Sequence, residues 1–380
     1  MATIRYRQRG VKKLWHYEIR DESGKSLAYQ GGFKTKRMAQ LVGSPIFQEI
    51  QNGSKLNPEM TLPNLYAYWL DVKINSKNLE IATFRKYSYY KNVIQENFDI
   101  PIKNIKASQY QQKMNELGEK VSYDVLQRIN SVIHKSIQLA KSDKVLVDDF
   151  TLGVDLNTQK KSKLIEDKYL HSTSDIMKLQ GELRQRLNYK KSVVPYVLYF
   201  LLSTGMRYGE MIALTWNDIN FEDEIIHTYR RFNTSPKIWK FVAPKTNISI
   251  RDIPLNENDI KVLKGLKKVQ ELSNAELEIK NKYNLVFQHY GLSHDVPSTV
   301  SSNKALRKIL EDTKIRPYNL SVYGLRHTRA SYLIHSGIPV DICAKVLGHT
   351  VLQFEKTYRH LLVEKRDEGF DAIRKLEILL

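Results

Sequence analysis

The hydrophobic pattern of this chain changes twice along its length, and each change marks a different kind of local structure. Near the N-terminus Arg5, Arg7 and Arg9 occupy every second position, which is typical of a strand. Residues 58–156 instead place apolar side chains three and four apart, which is typical of helices. Residues 163–380 mix the two patterns. A chain of 380 residues with these changes predicts a multi-domain protein, mainly α with small β-sheets.

The first two segments each predict a compact module. Residues 1–57 are expected to form a three-stranded sheet with one helix packed on it, and that helix contains Pro45. Residues 58–162 are expected to form a bundle of four or five helices that ends in a polar linker at 157–162. Helix starts in this bundle are predicted at hydroxyl residues that can cap them, namely Thr83, Ser108, Ser122 and Ser131.

The last segment, residues 163–380, predicts an α+β domain. Its first helices are predicted over 174–187, 194–203 and 207–214. Strands are then predicted over 224–231, 238–242 and 248–253, before helices resume. In the last of these strands Ile248 and Ile250 alternate with Ser249 and Arg251.

The charge of the chain predicts a polyanionic partner. There are 60 Lys and Arg against 41 Asp and Glu, a formal net charge of +19, and nucleic acid is the first partner to expect. A generically basic soluble protein is the alternative. Residues 1–57 have the highest density of positive charge, and Arg5, Arg7 and Arg9 would lie on a sheet face that fits a DNA groove. A solvated basic face is the alternative there.

Lys103 and Lys106 are further candidates for contact with DNA phosphates, although scattered lysines are also typical of any soluble helical bundle. Other classes of protein do not fit. The longest apolar run, residues 193–202, is too short to span a bilayer, and no apolar segment follows the basic N-terminus as in a signal peptide. The single cysteine, Cys343, excludes an intrachain disulfide and a cysteine-based zinc site. We therefore expect a soluble cytoplasmic protein.

Four short motifs in residues 163–380 combine polar side chains with turns. Taken singly, each of their residues has an ordinary structural explanation. Together they supply two arginines, a lysine and a histidine that could stabilise a phosphoryl transition state, and a tyrosine that could be a covalent nucleophile. The residues are Arg207 and Glu210 in STGMRYGE, Lys245 in PKTNISIR, Tyr323 and Arg326 in YGLRHTR, and His349 in LGH with Tyr358 nine residues later.

No Walker A motif, HExxH motif or cysteine zinc pattern accompanies these residues. We therefore expect chemistry without metal, ATP or other cofactor.

In these motifs the sequence resembles the tyrosine recombinase (phage integrase) family, over essentially all of residues 163–380. The resemblance implies that Tyr358 is the nucleophile, that Arg207 and Arg326 bind the scissile phosphate, and that Lys245 protonates the leaving oxygen. His349 would bind the same phosphate or assist Tyr358 with its proton. Glu210 matches the family's acidic residue after the first arginine. Tyr323 departs from the pattern, because the family usually has His or Lys there. A phenol can donate a hydrogen bond to a phosphate oxygen, but a cation is lost.

The resemblance also gives the other segments a meaning. Residues 1–57 are similar to arm-type DNA-binding domains, 58–162 to core-site DNA-binding domains, and 163–380 to catalytic domains, as in three-domain integrases of conjugative transposons and temperate phages. It implies a site-specific recombinase that integrates and excises a mobile element through a 3′-phosphotyrosyl intermediate. Implied partners are double-stranded DNA at core and arm attachment sites, further copies in a tetramer, and an excisionase. A bacterial, nucleoid-associated location follows.

The C-terminal tail has apolar residues at three-residue spacing, which fits either packing within the chain or, by the same resemblance, docking on a neighbouring protomer. These residues are Phe370, Ile373, Leu376 and Leu379.

Two other functions share these motifs. A non-catalytic DNA-binding protein could retain the recombinase fold, and Tyr323 is the one residue that favours it. A monomeric type IB topoisomerase would use the same chemistry without pairing two DNA sites. Trapping on a nicked duplex separates the first from the enzyme, and relaxation without recombinants would indicate the second.

Overall fold

The computed structural model describes residues 2–10, 13–21, 23–51, 56–76, 81–160, 166–234, 239–290, 295–359, 361 and 374. It divides into two compact units, residues 1–162 and 163–380. The described chain is mainly helical with small antiparallel sheets, which confirms the predicted fold class. Among the described residues no helix is both long and apolar enough to cross a membrane. The tail residues Phe370, Ile373, Leu376 and Leu379 lie outside the described residues.

The first unit begins with the predicted three-stranded sheet and helix. Strands β1 (Thr3–Arg9), β2 (Leu14–Arg20) and β3 (Ser26–Phe33) form an antiparallel sheet in that order, followed by helix α1 (Lys36–Gln51). Period-two alternation gives this sheet two different faces. One face packs on α1, as the hydrogen bond between Tyr6 and Ser44 shows (3.0 Å).

The rest of the first unit is a helical bundle with its own core. Its helices are α2 (Leu62–Ser76), α3 (Ile81–Asn97), α4 (Ala107–Lys120) and α5 (Tyr123–Ser142). They enclose one cluster of buried aromatic and aliphatic side chains. Two predicted helix starts are wrong. Thr83 lies inside α3, and Ser131 lies in the middle of α5, because Ile129, Val132 and Ile133 keep one buried face continuous across Ser131.

The second unit is built around one wholly buried helix. The helices of this unit are α6 (Thr173–Gln185), α7 (Val194–Thr204), α8 (Tyr208–Met211), α9 (Glu257–Glu276), α10 (Thr299–Thr313), α11 (Val322–His335) and α12 (Val340–Leu347). Residues 351–359 are also helical. Helix α7 is apolar on all sides, as expected of a helix that is surrounded by protein. It packs against α6, α10 and α11, so its C-terminal end lies beside α11.

Two small antiparallel sheets complete the second unit. The strands are β4 (Ile219–Asn220), β5 (Ile225–Thr228), β6 (Arg231–Asn233), β7 (Lys240–Val242) and β8 (Arg251–Pro254). One sheet has the order β4-β5-β8, and the other pairs β6 with β7.

The predicted strand over 248–253 begins later than expected. Residues 247–249 form a short 3-10 turn, and β8 starts at Arg251. Ile248 and Ile250 are exposed, whereas Ser249 and Arg251 are buried. The side chains of this segment that face the interior therefore end in a hydroxyl group and a guanidinium group.

Candidate active site

The turn between α7 and α8 positions the first predicted arginine. Gly205 ends α7 with a left-handed backbone (φ 68°), a conformation that glycine adopts at little cost. Arg207 is the residue immediately before α8. The carboxylate of Glu210 accepts hydrogen bonds from the backbone N–H of Arg207 (3.1 Å) and from its Nη1 (2.8 Å). Glu210 therefore fixes both the backbone and the side chain of Arg207, whose side chain remains 32% exposed.

The C-terminal end of α12 holds three arginines. The consecutive carbonyl groups of residues 346–348 accept hydrogen bonds from Arg251, Arg326 and Arg207, in that order. Gly348 makes this possible by leaving the helix with a left-handed backbone (φ 65°). Because a helix C-terminus carries partial negative charge, it attracts cations. Three guanidinium groups are thereby gathered at one point of the unit.

Arg326 and His349 form a buried pair at that point. Arg326 lies on α11 with no exposed surface; its Nη1 donates to the carbonyl of Gly205 (2.8 Å), and its Nη2 donates to His349 Nε2 (2.8 Å). Burial and then the charge of Arg207 lower the pKa of Arg326 to about 10. Burial and then Arg326 lower the pKa of His349 to about 3. At neutral pH the guanidinium is therefore charged and the imidazole is neutral.

Tyr358 packs directly on this pair, although it is almost fully covered. Its side chain is 2% exposed. Its ring stacks on His349 (centroids 6.3 Å apart, planes at 22°) and meets Phe354 (4.7 Å) and the edge of His327 (5.5 Å). Burial raises the pKa of Tyr358 to about 12, and the nearby charge of Arg326 opposes that shift. The phenol is therefore protonated at neutral pH.

Three polar atoms at the centre of the site have no hydrogen-bond partner among the described residues. They are Arg326 Nε, His349 Nδ1 and the hydroxyl of Tyr358, and all three are buried. Each such atom costs about 1–3 kcal/mol of stability, so folded proteins rarely leave them unsatisfied. A cluster of three on neighbouring side chains fits a site that is completed by a polar ligand.

Lys245 lies at the edge of the same region. It is exposed, in the loop between β7 and the 3-10 turn at 247–249. The next residue, Thr246, shares a hydrogen bond with Ser249 (3.2 Å), and the Ser249 hydroxyl accepts from Arg207 Nη1 (3.5 Å). This loop therefore connects to Arg207, while Lys245 itself is exposed.

Tyr323 lies one helical turn before Arg326 on α11 and is 51% exposed. Its ring meets the edge of His327 (4.8 Å), which in turn meets Tyr358. Tyr323 is therefore separated from Tyr358 by an imidazole ring that was not predicted to belong to the site. The signal was present, since residues 323 and 327 are four apart on one helix and therefore neighbours.

The structure brings one further residue into the site that was not predicted. Arg251 is 6% exposed and binds Glu210 Oε2 through Nη2 (3.0 Å). Burial raises the cost of ionising Glu210, but Arg251 and Arg207 outweigh it and lower the pKa of its carboxyl below the usual range. The available signal was that Arg251 lies two residues before Ile253 and therefore on the same phase of the strand, where a charge requires a partner if that phase is buried.

The predicted DNA contacts of the first unit lie outside this site. Arg5, Arg7 and Arg9 are all exposed on one face of β1, opposite the face that packs on α1. Lys106 is exposed at the start of α4. Lys103 is also exposed, but its ammonium pairs with Glu59, so part of its charge is already compensated.

The comparisons with known proteins show the family of the chain. The model of the phage integrase family matches residues 172–365, just over half of the chain. A tyrosine recombinase XerC-like protein of Caldanaerobacter subterraneus subsp. tengcongensis is 26% identical over 387 residues, covering 94% of each chain. The ICEBs1 integrase of Bacillus subtilis is 30% identical over 183 residues, 48% of each chain.

Solved structures share the fold. The Tn1549 transposon integrase in complex with transposon right end DNA superimposes with a TM-score of 0.67 at 18% identity, covering 83% of this chain and 100% of that one. A lambda integrase dimer bound to a core site gives 0.55 at 14% identity, covering 92% and 93%. The fold and site thus define an enzyme of the class that breaks and rejoins DNA through a tyrosine. The chain belongs to the phage integrase family of tyrosine recombinases.

Proposed function

We propose that this chain is the integrase of a mobile DNA element, with Tyr358 as the nucleophile of site-specific integration and excision. The observation that carries the proposal is the cluster of three unsatisfied buried atoms on Arg326, His349 and Tyr358. A phosphodiester placed there would accept hydrogen bonds from Arg326 Nε and His349 Nδ1, and its phosphorus would face the Tyr358 oxygen that attacks it. The named relatives support the cellular role, since they include an integrase of ICEBs1 and prophage integrases.

In the first step the Tyr358 phenol gives its proton to a solvent water molecule and its oxygen attacks the scissile phosphorus, while the bond from phosphorus to the 5′-oxygen breaks. The products are a 3′-phosphotyrosyl ester and a free 5′-hydroxyl. Lys245 donates the proton that the leaving oxygen needs, and its exposed position fits a group that acts only when DNA is present. The ester retains the energy of the broken bond, so attack by a partner's 5′-hydroxyl rejoins the strands without an external energy source.

Arg207 and Arg326 stabilise the negative charge that grows on the two non-bridging oxygens. Both have their side chains fixed by carbonyl groups of the protein before DNA arrives. His349 stays neutral, because burial and Arg326 lower its pKa to about 3. It therefore acts as a hydrogen-bond donor through Nδ1 and not as a second cation.

The phenol must become accessible before it can react. Tyr358 is 2% exposed, whereas Arg207 is about one third exposed. DNA can therefore first meet Arg207 and Lys245, and we propose that binding then uncovers Tyr358. Tyr323 takes the place of a cation in this scheme only as a neutral hydrogen-bond donor, and its half-exposed ring covers His327.

We assign the remaining parts to recognition and assembly. Residues 1–57 bind arm-type sites, 58–162 bind core sites, and 163–380 carry out catalysis. The lambda integrase structures include a dimer on a core site and a tetramer on a Holliday junction, which supports a tetramer of this chain on paired sites. An excisionase would set the direction, and the protein would act on the nucleoid in the bacterial cytoplasm.

The test is a trapping assay with a nicked duplex from the end of the element that carries the gene. The nick lets the cleaved fragment leave, so any covalent protein–DNA adduct accumulates. We expect the wild type to form an adduct on a denaturing gel and Tyr358→Phe to form none while binding the same duplex with a Kd within about threefold.

Tyr199→Phe is the matched control, because Tyr199 is another fully buried tyrosine of the same unit. It should form the adduct at the wild-type rate. An adduct with Tyr358→Phe, or none with the wild type at a duplex that it binds, would contradict the proposal. Supercoil relaxation without recombinants from two paired sites would instead identify a topoisomerase.

A further inference from the structure

Arg251 is a buried side chain of the site whose three guanidinium nitrogens all donate hydrogen bonds, and it has no part in the mechanism above. It begins β8 on the inner phase of that strand, with Asp252 and Pro254 outside. Its Nε donates to the carbonyl of Val346 (2.6 Å), and its Nη1 donates to the carbonyl of Ser249 (2.9 Å). A buried guanidinium is costly unless its donors are used. Here three separate elements of the unit supply the acceptors.

The third acceptor is the carboxylate of Glu210, which Arg251 shares with Arg207. Glu210 Oε1 accepts from Arg207 (2.8 Å), and Oε2 accepts from Arg251 (3.0 Å). One carboxylate between two guanidinium groups leaves one net positive charge. Without Arg251 the same carboxylate, buried beside Arg207, would neutralise that arginine. The presence of Arg251 therefore decides how much positive charge a phosphate meets at Arg207.

Arg251 also closes a ring of contacts that includes the end of α12. The ring runs from Arg251 to Glu210, from Glu210 to Arg207, from Arg207 to the carbonyl of Gly348, and through Val346 back to Arg251. His349 follows directly after this ring. A change in the position of Arg251 would therefore displace both Arg207 and His349.

We propose that Arg251 is a positioning residue of the recombination reaction, which compensates the charge of Glu210 so that Arg207 can act on the phosphate. The proposal rests on the proposed function, since it assigns the role of Arg207 to phosphate binding. Its chemistry is electrostatic and geometric, and no bond to DNA is made by Arg251 itself.

The test compares single-turnover adduct formation on the nicked duplex for three variants. Arg251→Met should slow adduct formation on the order of 100-fold, with the Kd for the duplex within about threefold. Arg251→Lys keeps a charge but not three fixed donors, so it should fall between wild type and Arg251→Met. In the double variant Glu210→Gln with Arg251→Met, the carboxylate that neutralises Arg207 is gone, and adduct formation should recover at least about tenfold from the Met variant.

If Arg251 had only a structural role, the double variant would not recover, because it loses a second buried partner, the Glu210 carboxylate, in addition to Arg251. If the double variant is no faster than Arg251→Met, or if Arg251→Met forms the adduct at the wild-type rate, the proposal is overturned. Failure of the proposed function looks different, since the wild type itself would then give no adduct.

Arg230→Met is the matched control for loss of a buried ion pair. Arg230 pairs with Asp218 (2.5 Å) in the same unit. It also donates a hydrogen bond to Thr215, so it takes no part in the ring of contacts that Arg251 closes. It should lose a similar amount of stability and leave the adduct rate per folded molecule unchanged. A loss equal to that of Arg251→Met would overturn the proposal.

A second pair of variants tests Arg251 without replacing it. A Cβ on Gly348 would lie 2.8 Å from Arg251 Nη1, whereas a Cβ on Gly337 meets nothing within 4 Å, and both residues have a positive φ. Gly348→Ala and Gly337→Ala therefore share the backbone strain and differ in the push on Arg251. Slower adduct formation only in Gly348→Ala supports the proposal, and equal rates in the two variants contradict it.

Discussion

On the N-terminal sheet Arg5, Arg7 and Arg9 extend into solvent, whereas Arg207 and Arg326 of the second unit donate to fixed oxygens of the protein. The exposed guanidinium groups are screened by salt, can adjust to an irregular backbone, and contribute as a sum. Those of Arg207 and Arg326 are already oriented, so their effect depends on geometry. We therefore expect the arginines of the sheet to contribute to affinity for DNA and those of the second unit to contribute to the rate of DNA cleavage.

The sharpest test of this contrast is Arg326→Lys. A lysine cannot donate at once to Gly205, Leu347 and His349 as Arg326 does. We expect adduct formation in single turnover to fall on the order of 1000-fold, with the Kd for the duplex within about threefold. A variant that loses binding and cleavage to the same extent would show that Arg326 acts as a surface charge does.

The matching test on the sheet is the triple variant Arg5→Ala, Arg7→Ala and Arg9→Ala. We expect affinity for DNA that extends beyond the cleavage site to fall about 10- to 100-fold. The slope of log K against log salt should become less steep by about one for each phosphate that the variant no longer neutralises. Adduct formation at saturating duplex should not change.

The control for the triple variant is Lys103→Ala, since that lysine already pairs with Glu59, and the salt slope should move by less than about half a unit. Binding that is unaffected by the triple variant would leave the sheet as a solvated basic face. A salt titration of duplex binding distinguishes these outcomes.

The smallest expected effect concerns acid, where the two regions should behave alike. Burial lowers the pKa of His349 to about 3, with Arg326 adding to it, and burial followed by Arg9 lowers the pKa of His16 in β2. Because each folded pKa is below the unfolded value of about 6.5, the unfolded chain takes up the proton first. Stability is therefore complete above that unfolded value and is lost as the pH falls below it.

For His349 the loss is up to about 1.4 kcal/mol per pH unit, or about 2 kcal/mol at pH 5.0. Urea unfolding of the wild type and of His349→Gln at pH 7.5 and 5.0 measures it, since the glutamine variant should lose the part of the pH dependence that His349 contributes. If the free energy of unfolding of that variant changes with pH as much as that of the wild type, His349 is not held neutral by the fold.

The sequence predicted the parts of the fold that depend on repeated local pattern. The three-stranded sheet within residues 1–57 and the helix α7, predicted over 194–203, came directly from the local hydrophobic pattern. The start at Ser131 failed because a hydroxyl residue inside a helix looks the same as a cap when burial is not known. The missing information was which face of the helix is buried, because only tertiary packing decides that.

The site shows the same division. Arg207, Arg326, His349 and Tyr358 were singled out from four separate motifs, and the structure places them within one cluster. Arg251 belongs to the second motif but was assigned no role, because the predicted strand over 248–253 places it on the phase opposite to Ile248 and Ile250. The strand begins only after a 3-10 turn, which reverses the phase. A change of backbone type over three residues leaves no periodic signal.

The carbonyl groups at the end of α12 have a consequence for turnover. Because Arg207 and Arg326 already donate to neutral oxygens, a docked strand must compete for those donors and binds without competition only at a donor such as Arg326 Nε. Its net attraction in the unreacted state is therefore small. The competition shifts as the phosphorus gains a fifth oxygen and its charge grows, since an ionic acceptor binds a guanidinium more strongly than a dipole does. The resting contacts would then discriminate between a strand that is passing through reaction and one that is merely docked, so that the joined product can be released.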